Sequence, residues 1–591
     1  MRSRNATGGF VGNLWQAPRS QWGSVAHVID RDTALLPFSS RTRSMCSTLR
    51  ADDYAAKAHE IVLPFLEADL FSGVVLVAKN DEIVFRQAFG LGNREWGIPN
   101  TPETKFRIGS ITKQFTAAAI LRLAERGKLN VADRLGQYLP DAPNSWHDVT
   151  IHQLLTHTSG VPSYTSLPDF LSRISLEERT PEQIIGLTSD QPLEFQPGVR
   201  FVYSNTGYIL LGSIVENVSG QTYSAFLTDE FFQPLGMVDS GYDHTSKIVD
   251  RRAAGYTCVD GRWRHARFIA MSLPYAAGGL YSTADDLYLW TKALMNGDVI
   301  QPARLEEMLR DHGHGYGYGW FVGSDEGRTR VSHGGAINGF LCTLDVHMDD
   351  DLTVIVLSNL QGAEVPMIAQ RLARAGVGRY QPCREITPGV PELKEFVGAF
   401  QLGHRYFLEI FLDNDALCAS FSGHQRLPLA CSGSGVFFSK TSDIDIKFDR
   451  EVDGKVSTVT LRERNVRLVG RRVDDAVRRT ANGPQPGSRE ETPAISTDVL
   501  QYAGRYRHPR MYVEVTVDGN ELFVQATAQR KLKAASSDGR CFVVEEVGAE
   551  ITFEHTESGA VWGLTLRQAG IQLRAYRLFD ACADQRTSPD V

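Results

Sequence analysis

The second half of the chain repeats itself, and this repeat limits the possible folds more than any other feature of the sequence. LKEFVGAF (393–400) returns as VLQYAGRY (499–506), and FLEIFLDNDAL (407–417) returns as YVEVTVDGNEL (512–522). Two further pairs of segments keep the same offset of 105 or 106 residues. Each copy alternates short strand patterns with turn signals and has room for about eight strands. The repeat therefore predicts two small antiparallel, lipocalin-like β-barrels.

The first half has a different pattern, in which strands enclose a long helical stretch. Strand patterns flank a turn at Asn80 and Asp81, a helix pattern covers 110–127, and strand patterns return in 330–358 before a helix at 365–376. This order predicts an α/β (α+β) domain with an antiparallel sheet and a helical subdomain.

A chain of 591 residues is too long for one core, so we expect several domains. The predicted division is a poorly ordered extension at 1–50, a catalytic domain at 51–385, barrel repeats at 388–475 and 497–581, and a polar linker at 476–496.

Composition and charge exclude several classes of function. The net charge of -8 is mild and no block of lysine and arginine stands out, so the sequence shows no nucleic-acid footprint. No apolar run is long enough for a membrane-spanning helix, and the N-terminus has no apolar signal segment. The eight cysteines are scattered without a CxxC pair. We expect reduced thiols, a cytoplasmic location, no membrane partner and no metal.

The helix pattern at 110–127 begins with a serine and a lysine three residues apart. Ser110 and Lys113 form the only SxxK in the chain and share one face of the predicted helix. Ser110 is either a plain helix cap or a nucleophile. If the shared face is buried, Lys113 loses solvation, its pKa falls, and a neutral amine can take the serine proton.

Two further short motifs carry chemistry-bearing residues. Tyr203-Ser204-Asn205 precedes a helix; Tyr203 is a core aromatic or a general base, and Asn205 is a cap or an amide that orients a substrate carbonyl. His333-Gly334-Gly335 lies on a predicted strand and is either a bulge or a strand that a ligand backbone can approach. The Ala336 N–H, with that of Ser110, would form an oxyanion hole.

Taken in order, these motifs resemble those of the serine β-lactamases and penicillin-recognising peptidases, in which SxxK is followed by SDN and KTG. With YSN and HGG in the second and third places, the chain resembles the class C β-lactamase and D-aminopeptidase branch. LLTHTSGVPSY (154–164) and AAGGLYSTADDL (276–287) also look like this branch. The resemblance covers roughly 55–380.

The resemblance implies a role for each matching residue. Ser110 is the nucleophile, and Lys113 and Tyr203 move its proton. The substrate-binding set is Asn205, His333, Gly335 and Ala336. His333 stands where β-lactamases carry lysine, which argues against an antibiotic hydrolase, and His157 in LLTHTSG is interpreted as structural.

A catalytic unit followed by two barrels resembles the three-domain bacterial D-aminopeptidases, in which the last barrel sends a loop toward the active site. The corresponding segment here is 525–540, QATAQRKLKAASSDGR. It is basic, whereas an ammonium-binding pocket would need an acid, and only Asp538 is close. A solvated barrel turn is the alternative.

Together these features predict a serine hydrolase that acts through an acyl-enzyme on small peptides or amino-acid amides. It needs no cofactor, and a homodimer is one possible assembly. One alternative is an esterase or a weak β-lactamase or DD-peptidase of the same fold. An alternative of another class is a catalytically vestigial protein whose barrels bind a ligand.

Overall fold

The structure is a computed structural model that describes residues 51–577 with short gaps. The gaps are 168–169, 171–172, 260–261, 383, 404–405, 422–425, 464–465, 475–498, 509–510, 520, 527–531, 537–540, 545–548, 556–559 and 569–570. The predicted extension at 1–50, the linker at 476–496 and Asp538 lie outside the described residues. The described chain divides after Gln381 into two compact units.

The first unit holds the predicted sheet and the helical layer. Its strands are β1 (Gly73–Lys79), β2 (Glu82–Phe89), β3 (Leu91–Asn93), β4 (Ile98–Pro99), β5 (Phe106–Arg107), β6 (Gly241–Tyr242), β7 (Tyr256–Val259), β8 (Arg262–His265), β9 (Leu280–Ser282), β10 (Phe321–Asp325), β11 (Arg328–Ile337), β12 (Phe340–His347) and β13 (Leu352–Ser358). Its helices are α1 (Ala51–Glu67), α2 (Thr112–Glu125), α3 (Ile151–Leu155), α4 (Pro181–Gly186), α5 (Asn205–Ser219), α6 (Tyr223–Leu227), α7 (Tyr275–Gly278), α8 (Ala284–Asn296), α9 (Pro302–Leu309) and α10 (Val365–Gly376).

The main sheet has six strands in the order β10-β11-β12-β13-β1-β2, and its neighbouring strands are antiparallel. Strand β1 is buried on both faces because its side chains alternate between two cores. Val75 and Val77 pack with α1 and α10, whereas Val74 and Leu76 pack into the helical layer. The sheet therefore separates a two-helix face from the larger helical face that holds α2.

Helix α2 lies inside the helical layer and is almost wholly buried. Its side chains from Thr112 to Leu121 are all buried, among them Lys113 and Gln114. A helix that is apolar nearly all round is typical of a protein interior. Lys113, which lies in this buried part of α2, is therefore removed from water.

The second unit consists of the two repeats. The first contains α11 (Val390–Lys394) and the strands β14 (Gly398–Gly403), β15 (Tyr406–Asp413), β16 (Ala416–Phe421), β17 (Leu427–Pro428), β18 (Ala430–Gly433), β19 (Val436–Phe438), β20 (Ile444–Arg450), β21 (Val456–Glu463) and β22 (Val466–Val473). The second contains β23 (Gly504–His508), β24 (Met511–Asp518), β25 (Glu521–Ala526), β26 (Leu532–Ser536), β27 (Cys541–Val544), β28 (Ala549–His555), β29 (Val561–Gln568) and β30 (Ile571–Arg577).

The two repeats share one strand topology, which confirms the predicted fold class. The second repeat is a closed barrel of the strands β23 to β30. The first is a nine-stranded sheet with β17 at one edge and β18 at the other. Because only Leu429 separates these two edge strands, the first repeat is nearly closed. Proline has no N–H for a strand ladder, and the interruption follows Pro428 directly.

Part of the segment at 525–540, which we interpreted as a candidate loop, is a strand. Leu532–Ser536 forms β26, which pairs with β25 and β27 inside the closed barrel. The loop prediction therefore falls on residues 527–531 and 537–540, outside the described part of the chain.

The structure bears on the predictions about membrane helices and thiols, but not on the predicted location in the cell. Within the described ranges, no helix has both the length and the apolar character needed to cross a membrane. No disulfide joins the cysteines that the structure describes, which are Cys258, Cys342, Cys418, Cys431 and Cys541. The cytoplasmic location stays a prediction.

Candidate active site

Ser110 lies in a short turn directly before α2. Gly109, Ser110 and Ile111 form a 3₁₀ turn, and the N-cap position of α2 is Ile111, whose side chain makes no capping hydrogen bond. The interpretation of Ser110 as a plain helix cap is therefore wrong. Its side chain is partly exposed, at the head of a helix that is otherwise buried.

Lys113 follows one turn later and is fully buried. Its Nζ donates hydrogen bonds to Asn205 Oδ1 at 2.9 Å and to the Ala277 carbonyl oxygen at 2.7 Å. The same Nζ lies 3.3 Å from Ser110 Oγ. Burial lowers the pKa of Lys113 well below its ordinary value, because the charged ammonium loses its hydration. The structure thus places an amine with a lowered pKa beside the serine hydroxyl.

Tyr203, in the segment before α5, places its phenol beside Lys113 and Ser110. The Lys113 Nζ lies 4.8 Å from the centroid of the Tyr203 ring. Burial raises the pKa of Tyr203, and a hydrogen bond with Ser110 acts in the opposite direction. The resting state of this group is therefore a neutral phenol that contacts the serine.

Asn205 is the first residue of α5 and not its cap. The cap is Ser204, whose hydroxyl accepts from the Gly207 N–H. The Asn205 side chain is thereby left for the site, where its Oδ1 accepts from Lys113 and its Nδ2 donates to Thr165 Oγ1 at 3.1 Å. These two bonds fix the orientation of the amide.

Strand β11 passes very close to the Ser110 turn, and glycine makes this approach possible. A Cβ at Gly335 would lie 1.9 Å from the Ile108 carbonyl oxygen, and a Cβ at Gly109 would lie 2.8 Å from the Ala336 nitrogen. Gly109 also has a φ of 51°, in the left-handed region. The β11–β12 register runs without a shift, so β11 has no bulge here against β12.

The edge of β11 that faces away from β12 is covered only in its first half. Strand β10 pairs with β11 from Arg328 to Ser332 and not beyond. From His333 to Ile337 this edge is free of β10 and lies beside the Ser110 turn. An extended ligand backbone could add to such an edge.

His333 is buried, and both of its ring nitrogens have partners. Its Nδ1 lies 2.6 Å from the Gly334 carbonyl oxygen, to which it must donate, so Nε2 accepts from the Tyr316 hydroxyl at 3.0 Å. Burial, and after it the charge of a protonated Lys113, lowers the pKa of His333 to about 3. His333 is therefore neutral at pH 7, and its ring lies 6.3 Å from that of Tyr203.

The structure brings the seven predicted site residues together and adds two that sequence reasoning did not assign to the site. Tyr316 bonds to His333, and the His157 ring stands 4.2 Å from the Tyr203 ring. The signal for Tyr316 was the run HGHGYGYGW, in which large rings alternate with glycines. His157 was visible in LLTHTSG but was interpreted as structural.

The first unit and the last repeat each match a known family. The profile of the Beta-lactamase family matches residues 58–378. The profile of a domain of unknown function, DUF3471, matches residues 488–578. The first of these matches contains every residue of the site described above.

Individual proteins support the family match. The putative penicillin-binding protein PbpX of Bacillus subtilis is 32% identical over 291 residues, which is 49% of this chain and 71% of that protein. The octameric penicillin-binding protein homologue from Pyrococcus abyssi is 27% identical, with a TM-score of 0.52, over 71% of this chain and 100% of that chain. The D-amino acid amidase from Ochrobactrum anthropi SV3, solved with D-phenylalanine, has a similar fold at 23% identity, with a TM-score of 0.50, over 55% of this chain and 98% of that chain.

Proposed function

Because the chain belongs to the Beta-lactamase family, we propose that it is a serine hydrolase that cleaves small peptides or amino-acid amides, in the manner of a D-aminopeptidase. The observation that carries the proposal is the set of contacts of the Lys113 amine. This amine is buried, bonded to two amide-type oxygens, and 3.3 Å from Ser110 Oγ.

A count of the protons on Lys113 supports its role as the acceptor. A neutral amine has two N–H bonds and one lone pair, whereas an ammonium has three N–H bonds and no lone pair. The Asn205 and Ala277 oxygens use both N–H bonds of the neutral form. The lone pair is then left for the Ser110 hydroxyl, which donates its proton as its oxygen attacks the substrate carbonyl.

Tyr203 completes the path of this proton. As the tetrahedral intermediate collapses, the bond from the carbonyl carbon to the leaving nitrogen breaks, and that nitrogen must gain a proton. The neutral Tyr203 phenol, bonded to Ser110, gives its proton to the leaving amine and is reprotonated by the Lys113 ammonium. Serine has then formed an ester with the acyl group, and the lysine is again neutral.

The backbone around Ser110 supplies the remaining stabilisation. The N–H groups of Ser110 and Ala336 lie on the two segments that Gly109 and Gly335 bring together, and in the proposal they donate to the oxyanion. Water then attacks the ester by the same proton path in reverse. Asn205 holds the substrate carbonyl or amide beside the nucleophile.

The preference for amides over β-lactams rests on charge. The resemblance places His333 where β-lactamases carry a lysine, and here this histidine is buried and neutral. A neutral group offers no ion pair to a substrate carboxylate next to the scissile bond. The fold shared with the D-amino acid amidase is compatible with amide hydrolysis but does not by itself select it.

Covalent labelling tests the hydrolase proposal. A fluorophosphonate should label the wild-type chain, and Ser110→Ala should abolish the label. Ser189→Ala is the matched control, because its exposed hydroxyl bonds only to a nearby backbone oxygen and should leave labelling unchanged. A folded wild-type chain that never labels would favour the alternative of a vestigial, ligand-binding protein.

Substrate comparison tests the finer part of the proposal. We expect a D-alanyl anilide to be hydrolysed with a higher kcat/KM than a short-chain nitrophenyl ester or a chromogenic cephalosporin. If the ester were hydrolysed with a kcat/KM equal to or higher than that of the anilide, the protein would be an esterase and the proposed peptide preference would be wrong.

We also propose that the chain forms an oligomer, since its Pyrococcus abyssi homologue is octameric. Light scattering coupled to size-exclusion chromatography measures the mass directly. A monomer at all working concentrations would contradict this part.

A further inference from the structure

We infer that His157 is a positioning residue that holds Tyr203 in its working orientation. The inference rests on the proposed function, in which Tyr203 carries a proton, and it names the group that fixes this phenol. His157 lies in the loop after α3, far along the chain from Tyr203, and its ring contacts the Tyr203 ring.

The contacts of His157 surround Tyr203 along the backbone. The His157 carbonyl oxygen accepts from the Val202 N–H at 3.0 Å. The His157 ring accepts from the Ser204 N–H at its Nδ1, at 3.2 Å. His157 thus bonds to the backbone N–H groups of both residues that flank Tyr203.

The imidazole also packs against the phenol ring itself. The two ring centroids are 4.2 Å apart, with 33° between the ring planes. The Tyr208 and Tyr316 rings lie 5.1 Å and 4.9 Å from the same imidazole. Tyr203 is therefore held through its backbone and through its ring by a single side chain.

The backbone and ring of His157 both have features that an apolar side chain used only for packing would not require. Its φ is 58°, in the left-handed region that costs a non-glycine residue energy. Since Nδ1 accepts, the proton of the neutral ring sits on Nε2, which has no hydrogen-bond partner among the described residues. An apolar side chain of similar size would avoid this unpaired N–H, but it would lose the bond to Ser204.

Three substitutions separate the functions of the ring. His157→Ala removes both the acceptor and the stacking. His157→Phe keeps an aromatic ring but not the acceptor. His157→Asn keeps an acceptor at the position of Nδ1 and tolerates the left-handed conformation, but removes the ring. His147→Asn is the matched control, because the His147 ring bonds to the Ala142 carbonyl oxygen in another loop.

We expect His157→Ala and His157→Phe to lower kcat by about 10- to 100-fold, because small misplacements of a reacting group cost this much, while KM stays within about twofold. His157→Asn should recover most of the lost kcat, and His147→Asn should resemble the wild type. Circular dichroism confirms that each variant is folded. An asparagine variant as slow as the alanine variant, or an alanine variant with normal kcat, would overturn the inference.

A double-mutant cycle shows whether His157 acts through the Tyr203 hydroxyl. In a Tyr203→Phe background, His157→Ala should lower kcat by less than about twofold. Fully additive losses would overturn the inference and leave the proton role of Tyr203 intact. A Tyr203→Phe single variant with the wild-type rate would instead overturn the proposed function at this residue, and the inference with it.

Discussion

At the scale of single residues, burial decides which groups carry charge in this site. Lys113 is inaccessible to water and forms no ion pair among the described residues, so desolvation alone lowers its pKa. His333 and His157 lose charge for the same reason. The chemistry proposed for Ser110 depends on this, because only an uncharged amine can take its proton.

Lys113→Arg is expected to lower kcat/KM by about 10² to 10⁴-fold, the usual range for a proton-transfer group. Arginine keeps the positive charge and two or more donors but has no lone pair at neutral pH. Steady-state kinetics on an amino-acid anilide measure the change. Lys105→Arg is the matched control, since Lys105 is also buried but forms an ion pair with Asp239 that arginine can keep. Equal rates for both variants would contradict the role of Lys113.

The pH dependence of kcat/KM should follow the free amine. The rate is expected to rise with pH as Lys113 loses its proton, with the acid limb below its ordinary pKa of 10.5. The raised pKa of Tyr203 keeps the phenol protonated over the same range, so no basic limb is expected near 10. Initial rates between pH 5 and pH 10 test this; a rate that falls steadily as pH increases would count against the assignment.

The residues proposed to carry the chemistry follow from local sequence patterns, whereas the contacts of their supporting residues do not. Ser110 and Lys113 are linked by helical spacing, which is visible in one segment. The pairing of His333 with Tyr316, and the contact of His157 with Tyr203, join segments that no local pattern relates. The sequence left open whether Asn205 caps α5, and the structure gives that position to the neighbouring Ser204.

At the scale of elements, the approach of β11 to the Ser110 turn sets the geometry of the site. Gly335→Ala is expected to lower kcat by more than tenfold, because its Cβ would lie 1.9 Å from the Ile108 carbonyl oxygen and force the two segments apart. Gly362→Ala is the matched control, since nothing lies within 4 Å of a Cβ there. Steady-state kinetics on the folded variant measure kcat. If Gly335→Ala had a normal kcat, the close approach of β11 to the Ser110 turn would not be needed for activity.

Several elements of the first unit were predictable because their periodicity is strong. The helix at 365–376 and the two strands around Asn80 and Asp81 lie where the patterns put them. The repeat correctly predicted matching strands, and the pairing of Ala430 with Phe438 returns as Ala535 with Val543. The break at Leu429 was not predicted, because a single proline in an edge strand leaves the repeat pattern intact.

At the scale of the whole molecule, every residue of the proposed site lies in the first unit. A chain truncated after Gln381 should therefore still be labelled by a fluorophosphonate at Ser110. Mass spectrometry locates the label, and Ser110→Ala in the truncated chain is the control. A folded truncated chain that fails to label would show that the second unit contributes to the site.

Acid should destabilise the first unit through its buried histidines. The pKa values of His152, His157, His312, His333 and His347 are all lowered by burial. Below pH 6.5 the unfolded chain binds protons that the folded chain does not, so the free energy of unfolding decreases as pH falls toward the folded pKa values.

His333 alone should contribute roughly 2 kcal/mol of this loss between pH 7 and pH 5. Urea unfolding of the wild type and of His333→Gln at both pH values measures it. The variant should lose less stability on acidification than the wild type. Identical losses would mean that His333 is protonated in the folded state as well.

The uncharged interior of the site has a consequence for how substrates reach it. The described side chains of the site are neutral, so the long-range field that a substrate meets comes from the rest of the molecule, whose net charge is -8. A cationic amino-acid amide would be drawn toward such a surface, and an anionic peptide would be held back. The molecule thus discriminates between cationic and anionic substrates through their association rates, before either substrate reaches Ser110.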